Sequence, residues 1–210
     1  VILATHNPGK LRELRALLSE TDLECKSQAE HRVPEVPETG HTFFENALIK
    51  ARNACRYSGL PSIADDSGLV VDCLQGAPGV HSARFAGEKA TDSDNLKKLL
   101  WAVREFSAEE RTARFQCAMV YLRSEFDPSP LISVGTWEGC ITMTARGNHG
   151  FGYDPVFLVI GLKRTSAELE PQEKNRLSHR GQALRQLVEQ LRKEYLLRRQ
   201  SAVRRSTGSA

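Results

Sequence analysis

The chain has 210 residues, of which 40% are hydrophobic and 26% are charged, a composition typical of one folded domain. The net charge is +3, but residues 198–210 hold four arginines and no acid, so the rest of the chain is close to neutral. A body without a basic surplus argues against nucleic-acid binding. No run of 18 apolar residues is present and the five cysteines form no C-x-x-C pair, so we expect a soluble cytosolic protein without disulfides or a zinc knuckle.

Segments with strand-like and helix-like patterns alternate along the chain, which predicts an α/β fold. Turn residues and capping signals give the boundaries. The predicted strands cover residues 1–4, 63–65, 69–73, 115–123, 131–142 and 156–159, and the predicted helices cover residues 11–18, 42–57, 92–106 and 178–197. Residues 1–197 are predicted to form a single domain, and residues 198–210 a basic, disordered tail.

Two adjacent acids, Asp65 and Asp66, follow the apolar Ile63 and are followed by Ser67 and Gly68. Carboxylates at the end of a strand can hold a divalent cation and orient a water molecule. The same residue types also form ordinary polar turns, and this pentad alone does not separate the two interpretations.

A second polar segment joins the first strand to the first helix. Asn7 suits the N-cap position and Pro8 the first helical position, so free backbone N–H groups lie near Thr5 and Lys10. Such a helix start can bind phosphate. The segment lacks the G-x-x-x-x-G-K-[ST] pattern of a P-loop, and an ordinary helix cap is the alternative.

Two segments near the C-terminus add aromatic and cationic side chains. Phe151 and Tyr153 follow a glycine-rich loop and offer ring faces for a nucleobase, beside an acid at Asp154. Three further donors are predicted at the start of the last helix, where positive charge is unfavourable unless an anionic or acceptor-rich partner is present: Lys174, His179 and Arg180.

Taken in order, these segments resemble the inosine triphosphate pyrophosphatase family, most closely its bacterial branch. The matching segments are T-H-N-P-G-K at residues 5–10, T-F-F-E-N-A at 42–47, A-D-D-S-G-L at 64–69, G-A-P-G at 76–79, F-G-Y-D-P at 151–155 and S-H-R at 178–180. The resemblance implies a long, curved mixed sheet flanked by helices, with two lobes around a central cleft, and a homodimer.

The resemblance also implies a role for each matching residue. Asp66 would be the catalytic proton acceptor and a Mg²⁺ ligand, and Ser67 would contact substrate. The triphosphate would be held by Thr5, His6, Asn7, Pro8, Gly9, Lys10 and Lys50. The base and its surroundings would be bound by Phe151, Gly152, Tyr153, Asp154, Lys174, His179 and Arg180.

The chain departs from this family at one position. Many relatives carry two acids before a Thr-Gly pair, and the first helps to bind magnesium, whereas this chain has Pro37 in that place, followed by Glu38. Proline has no side-chain oxygen, so Glu38, Glu35 or a water must take its place, or the metal is held less tightly. Of these we expect Glu38 to supply the second ligand for Mg²⁺.

The resemblance implies hydrolysis of dITP, ITP and XTP to the monophosphate and pyrophosphate. Two other functions stay open at this point. The chain could instead cleave ordinary or modified pyrimidine triphosphates, or it could bind nucleotides without turnover, an alternative motivated only by the missing acid at Pro37.

Overall fold

The computed structural model describes residues 1–19, 21 and 23–207, with side chains up to residue 196. Its six strands are β1 (Ile2–Leu3), β2 (Lys26–Ser27), β3 (Ser62–Val71), β4 (Thr112–Leu122), β5 (Leu131–Ile141) and β6 (Phe157–Val159). Its α-helices are α1 (Pro8–Leu18), α2 (Phe43–Ser58), α3 (Asp92–Ala102), α4 (Pro171–Leu177) and α5 (His179–Thr207). Within these described ranges, no helix is both long and apolar enough to span a membrane.

The six strands form one mixed sheet in the order β2-β1-β3-β4-β5-β6. The two short strands β2 and β1 run parallel to each other, and β1 runs parallel to β3. From β3 to β6 every neighbouring pair is antiparallel. The α/β fold with a mixed sheet is therefore confirmed.

Helices cover both faces of the parallel part of the sheet. Neighbouring residues of a strand point to opposite faces, so one strand packs against helices on both sides. Ile2 and Ala64 pack with the alanine-rich side of α2, whereas Leu3 and Ile63 pack with α1 and α5. A third cluster lies farther along the long strands, where Phe115 and Trp137 pack with β6 and α3. The strands β1, β3 and β4 thus each contribute to more than one core cluster.

Two predicted helix starts are confirmed by their capping bonds. The side chain of Asn7 accepts from the backbone N–H of Lys10 at 3.0 Å, with Pro8 at the first helical position. The side chain of Thr42 accepts from the N–H of Glu45, whose carboxylate accepts from the N–H of Thr42. These short-range bonds fix where α1 and α2 leave the sheet.

Several predicted boundaries are wrong. The two strands predicted around Asp66 are one continuous strand, β3, and Gly68 lies within it instead of forming a turn. Glycine is needed there because a Cβ atom would lie 2.4 Å from both the carbonyl oxygen of Gly79 and Ser82 Oγ. The short elements β2 and α4 were not predicted.

The last helix is longer than predicted and its backbone continues to Thr207. The side chains from residue 197 onward lie outside the described residues. The assignment of residues 198–210 to a disordered tail therefore stays a prediction, as does the domain boundary at residue 197.

Candidate active site

A cleft of about 620 Å³ opens beside the centre of the sheet. Every residue that the sequence suggested for the site lines it, except Pro8 and Gly9. These two lie at the start of α1, where Gly9 is buried and Pro8 is the first residue of the helix. The structure therefore brings together segments that are far apart in the sequence.

Of the two acids of β3, Asp66 lines the cleft and Asp65 is fully buried beside it. Lys10 Nζ lies 3.2 Å from Asp65 Oδ2 and 3.9 Å from Asp66 Oδ1, so one ammonium group contacts both carboxylates. On the side of α2, Asn46 Nδ2 donates to Asp66 Oδ2 at 3.1 Å. On the side of α5, Arg180 Nε donates to Asp65 Oδ2 at 3.2 Å. Apart from the shared Lys10, the two acids have different partners because adjacent residues of a strand point to opposite faces of the sheet.

The two acids also differ in their affinity for a proton. Burial raises the pKa of Asp66 and Glu38 adds to the rise, while Lys10 and Lys50 oppose it. Burial also acts to raise the pKa of Asp65, but Lys10, Arg180 and Lys50 outweigh it and hold that pKa well below its usual range. Asp66 is therefore the acid of the pair that can accept a proton more readily.

Two carboxylates converge on a single cation at one side of the cleft. Lys50 Nζ lies 3.0 Å from Glu38 Oε1 and 3.5 Å from Asp66 Oδ1. Burial lowers the pKa of Lys50, but Asp66, Asp65 and Glu38 outweigh this effect and raise it. The place between Glu38 and Asp66 is thus already suited to positive charge.

The carboxylates of Glu38 and Asp66 are of the kind that Mg²⁺ uses in proteins. Mg²⁺ usually takes one or two protein carboxylates together with substrate phosphates and water. No group of three or more His, Cys, Asp or Glu side chains in the described part of the chain could hold a metal ion. Glu38 and Asp66 supply two carboxylates that face one position, and Asp65 Oδ1 is a buried oxygen without a hydrogen-bond partner among the described residues. The oxygen donors fit Mg²⁺ on condition that substrate completes its coordination.

The cations predicted to meet an anionic partner have partners within the protein. Lys174 lies in α4 instead of at the start of the last helix, and its Nζ donates to Glu13 Oε1 at 2.8 Å and to Asp154 Oδ2 at 2.6 Å. Arg180 Nη1 donates to Glu13 Oε2, and Arg180 Nη2 donates to Ser67 Oγ at 2.7 Å. These buried cations are therefore neutralised and fixed before any ligand binds.

The loop before β6 is held against the cations by hydrogen bonds. Phe151 N donates to Asp154 Oδ2 at 2.8 Å, and Ser166 Oγ donates to Asp154 Oδ1 at 2.8 Å. The Phe151 ring faces two cations, with Lys174 Nζ 4.9 Å from its centroid and the guanidinium carbon of Arg180 at 5.8 Å. Phe151 is thus oriented as one apolar wall of the cleft.

The other aromatic residue of that loop has a structural contact. Tyr153 is buried, and its hydroxyl donates to the carbonyl oxygen of Ser82 at 2.8 Å. Gly152 N donates to Asp92 Oδ2 at 2.8 Å. The loop is therefore attached to both the Gly79–Arg84 segment and the start of α3.

His179 forms the back of the cleft beneath this loop. Its ring stacks on Phe115 with the centroids 4.9 Å apart and the planes inclined by 12°. Burial lowers the pKa of His179 well below 6.5, and Arg180 and Lys174 add to this effect. His179 Nδ1 is buried without a hydrogen-bond partner among the described residues, so a neutral imidazole is available to a ligand.

Three residues of the site were missed from the sequence. Glu13 lies one helical turn beyond Lys10, and this spacing could have placed both side chains on the same face of α1. Phe115 occurs in a strand whose apolar residues all suited a core. Asn46 lies in the matching segment at residues 42–47, but no role was assigned to it. Their roles depend on contacts between distant segments.

Fold and site together define a class of α/β protein with a cleft across a mixed sheet, in which a capped helix start lies beside a lysine-bound pair of acids. Within that class, the chain belongs to the Ham1 family, whose model matches residues 1–190.

The similar proteins come from several bacteria. A dITP/XTP pyrophosphatase of Vibrio parahaemolyticus is 56% identical over 191 residues, covering 91% of this chain and 96% of that protein. A dITP/XTP pyrophosphatase of Salmonella paratyphi A is 54% identical over 192 residues, covering 91% of this chain and 98% of that protein. Among solved structures, a Ham1 protein from Coxiella burnetii has a TM-score of 0.85 and 49% identity, covering 91% of this chain and 98% of the other.

Proposed function

We propose that the chain hydrolyses the deaminated purine triphosphates dITP, ITP and XTP to the nucleoside monophosphate and pyrophosphate, and so clears them from the nucleotide pool. The names of its relatives support this reaction. The observation that carries the proposal is the position of Asp66. It is buried, has a raised pKa and contacts the two lysines Lys10 and Lys50.

In the proposed mechanism, Asp66 accepts a proton from the attacking water. Its raised pKa brings it closer to neutral pH, where a general base is most effective. Lys10, Lys50 and the backbone N–H groups at the start of α1 bind the phosphates, and their fixed positive charge stabilises charge that develops on the phosphate oxygens. Mg²⁺, held by Asp66 and Glu38 with the substrate, would supply further positive charge for the same purpose.

The base would lie against Phe151, beside the stacked rings of His179 and Phe115. Hypoxanthine and xanthine carry a 6-oxo acceptor where adenine carries a donor, so donors from His179 or Arg180 would favour the deaminated bases. Lys174 and Asp154 would act mainly by fixing this wall, because they are paired with each other. If ATP bound, its 6-amino group would leave a buried donor of the protein unpaired, and this cost would make ATP a poor substrate.

The proposal also includes a homodimer in the cytoplasm, without nucleic acid or membrane as a partner. The near-neutral body of the chain supports the absence of nucleic acid as a partner. Sedimentation of the purified protein at micromolar concentration would measure the oligomeric state directly.

A substrate panel with product separation tests the proposed reaction. ITP, dITP, XTP, GTP, ATP, dTTP and UTP are compared at equal concentration, and products are separated by chromatography. We expect ITP to give IMP and pyrophosphate, with orthophosphate appearing only after inorganic pyrophosphatase is added. Accumulation of IDP, or equal rates for ITP and ATP, would refute the proposal.

The same panel separates the two alternatives. Faster turnover of dTTP or UTP than of ITP would favour a pyrimidine triphosphate pyrophosphatase. Binding of ITP with no turnover at any Mg²⁺ concentration would favour a catalytically silent nucleotide-binding protein.

A further inference from the structure

Gln28 is a buried polar residue to which neither the sequence nor the proposed mechanism gives a role. It follows β2, lines the cleft and is only 6% exposed. Its side-chain amide makes no hydrogen bond with any residue that the structure describes, and its polar atoms are not among the fully enclosed ones. The accessible part of this amide is therefore unpaired and lies at the cleft, where a ligand can reach it.

The position of Gln28 follows from the topology of the sheet. Ser27 pairs with Leu3, so Gln28 and Thr5 both follow the carboxyl ends of neighbouring parallel strands. The next strands in the sheet, β3 and β4, carry Asp66 and Phe115. Cleft residues therefore lie on or directly after four consecutive strands, in the order Gln28, Thr5, Asp66 and Phe115.

This order gives the cleft two chemically different ends. Phe115, with His179 stacked on it, forms the aromatic end. Thr5 and Lys10 form the end that is proposed to bind phosphate. Gln28 lies one strand beyond Thr5. Measured across the sheet, β2 is three strand spacings from β4, or about 14 Å at roughly 4.8 Å per spacing. A nucleotide with its base at Phe115 and its inner phosphate at Asp66 would point its outer phosphates toward Gln28.

We infer that the Gln28 amide donates to the outer phosphates of the substrate, making Gln28 a binding residue for the pyrophosphate leaving unit. This inference rests on the proposed function and assigns one end of the same site. A side-chain amide suits this role because its N–H groups can donate to a phosphate oxygen. Being neutral, it adds no further ionic bond to those that Lys10 and Lys50 would make with the leaving pyrophosphate.

The side chain of Gln28 can be changed without losing its structural hydrogen bond. The backbone carbonyl of Gln28 accepts from Val33 N at 3.1 Å, and any substitution retains this bond. Gln28→Ala removes the amide, and Gln28→Glu keeps its size while replacing the donor with a carboxylate. Gln190→Ala is the matched control, because Gln190 Nε2 donates to the carbonyl oxygen of Ile132, outside the cleft.

Calorimetric titration with pyrophosphate and, separately, with IMP, both with Mg²⁺ present, tests the inference. We expect Gln28→Ala to weaken pyrophosphate binding about three- to tenfold, as the loss of one neutral hydrogen bond predicts, with IMP binding unchanged. Gln28→Glu should weaken pyrophosphate binding more, and Gln190→Ala should change neither affinity.

Unchanged pyrophosphate affinity in both Gln28 variants would overturn the inference, as would equal weakening of IMP and pyrophosphate or a wild-type protein that binds no pyrophosphate. The proposed function fails separately. If the wild type does not cleave ITP but its pyrophosphate affinity still depends on Gln28, the inference stands and the reaction assignment does not.

Discussion

Glu13 and Asp65 bind the same guanidinium group from two sides. Arg180 donates from Nη1 to Glu13 Oε2 and from Nε to Asp65 Oδ2. Arg180 is 2% exposed, so both ion pairs are shielded from water. Since Glu13 belongs to α1 and Asp65 to β3, the guanidinium of Arg180 joins α1 and β3 to α5.

Glu13→Gln should weaken this junction. The amide keeps the size of Glu13 but removes the charge that compensates Lys174 and Arg180, each of which retains one other carboxylate. We expect a loss of about 2 kcal/mol in the free energy of unfolding, as for a hydrogen bond to a charged group. This corresponds to a fall in Tm of roughly 4–8 °C for a chain of this length. Calorimetry at neutral pH measures the change.

Arg15→Gln is the matched control on the same helix. Arg15 pairs with Glu30 at 3.0 Å, but both side chains are about half exposed, at 51% and 52%. Exposed pairs contribute about 1 kcal/mol at most. A Tm for Glu13→Gln equal to that of Arg15→Gln would show that the buried bridge does not stabilise the fold.

Asp66→Asn should abolish most turnover while retaining the fold. The amide keeps the size of the side chain but is not a base, so kcat for ITP should fall at least about 100-fold. Lys10 and Lys50 each keep another carboxylate, Asp65 and Glu38, so Tm should change little. Steady-state kinetics with parallel circular dichroism measures both, and a folded variant with near-normal kcat would exclude Asp66 as the base.

Glu38→Gln tests the second carboxylate of the expected Mg²⁺ site. If Glu38 is a ligand, its amide should raise the Mg²⁺ concentration needed for half-maximal rate severalfold, because a charged oxygen donor is lost. Pro37→Glu, which restores an acid at the preceding position, should lower that concentration or leave it unchanged. An identical Mg²⁺ titration for Glu38→Gln and the wild type would place the ligand elsewhere.

His179 should make stability depend on pH in a defined window. Burial lowers the pKa of His179 in the folded protein well below the unfolded value of 6.5, so the unfolded chain takes up a proton first. The stability is fully present above pH 6.5 and decreases as the pH falls below it. Moving from pH 7.5 to pH 5.5 should cost about 1.4 kcal/mol through this group, roughly 3–6 °C in Tm.

His179→Phe isolates that contribution. Phenylalanine can keep the stacking on Phe115 and has no proton to gain, and His179 Nδ1 has no described partner to lose. Between pH 7.5 and pH 5.5, Tm of the variant should therefore fall by less than Tm of the wild type, by the stated amount. Parallel Tm curves for the two proteins would mean that His179 titrates normally in the folded state.

Features decided by neighbouring residues could be predicted from the sequence. The N-cap at Asn7 and the capping box of Thr42 and Glu45 depend on side chains three residues from the groups they bind, and both were found in the structure. The cleft residues were predicted through the family resemblance, because a single segment did not distinguish a site from a turn.

Features decided by distant contacts could not be predicted. Glu13 meets Lys174 across 161 residues and Arg180 across 167 residues, so local spacing does not reveal their pairing. Likewise, the sequence places Gly68 in a turn between two predicted strands because glycine is common in turns. In the structure, glycine is needed at this strand position because Gly79 and Ser82 approach it closely. The direction of the Asp66 pKa shift also depends on tertiary structure, because burial and the distant Glu38 cause the rise.

The alternation of charge along the cleft has a consequence for how substrate is found. Carboxylates separate the cations in a row that comprises Asp154, Lys174, Glu13, Arg180, Asp65, Lys10, Asp66, Lys50 and Glu38. Because these opposite charges are neighbours, their electric fields largely cancel at a distance. Salt screens the remaining field within about one Debye length, roughly 8 Å at physiological salt. A polyanion in solution is therefore not steered toward the opening over long distances. Selection among nucleotides should therefore depend on the contacts made inside the cleft, where a phosphate must compete with Asp65, Asp66 and Glu38 for the two lysines.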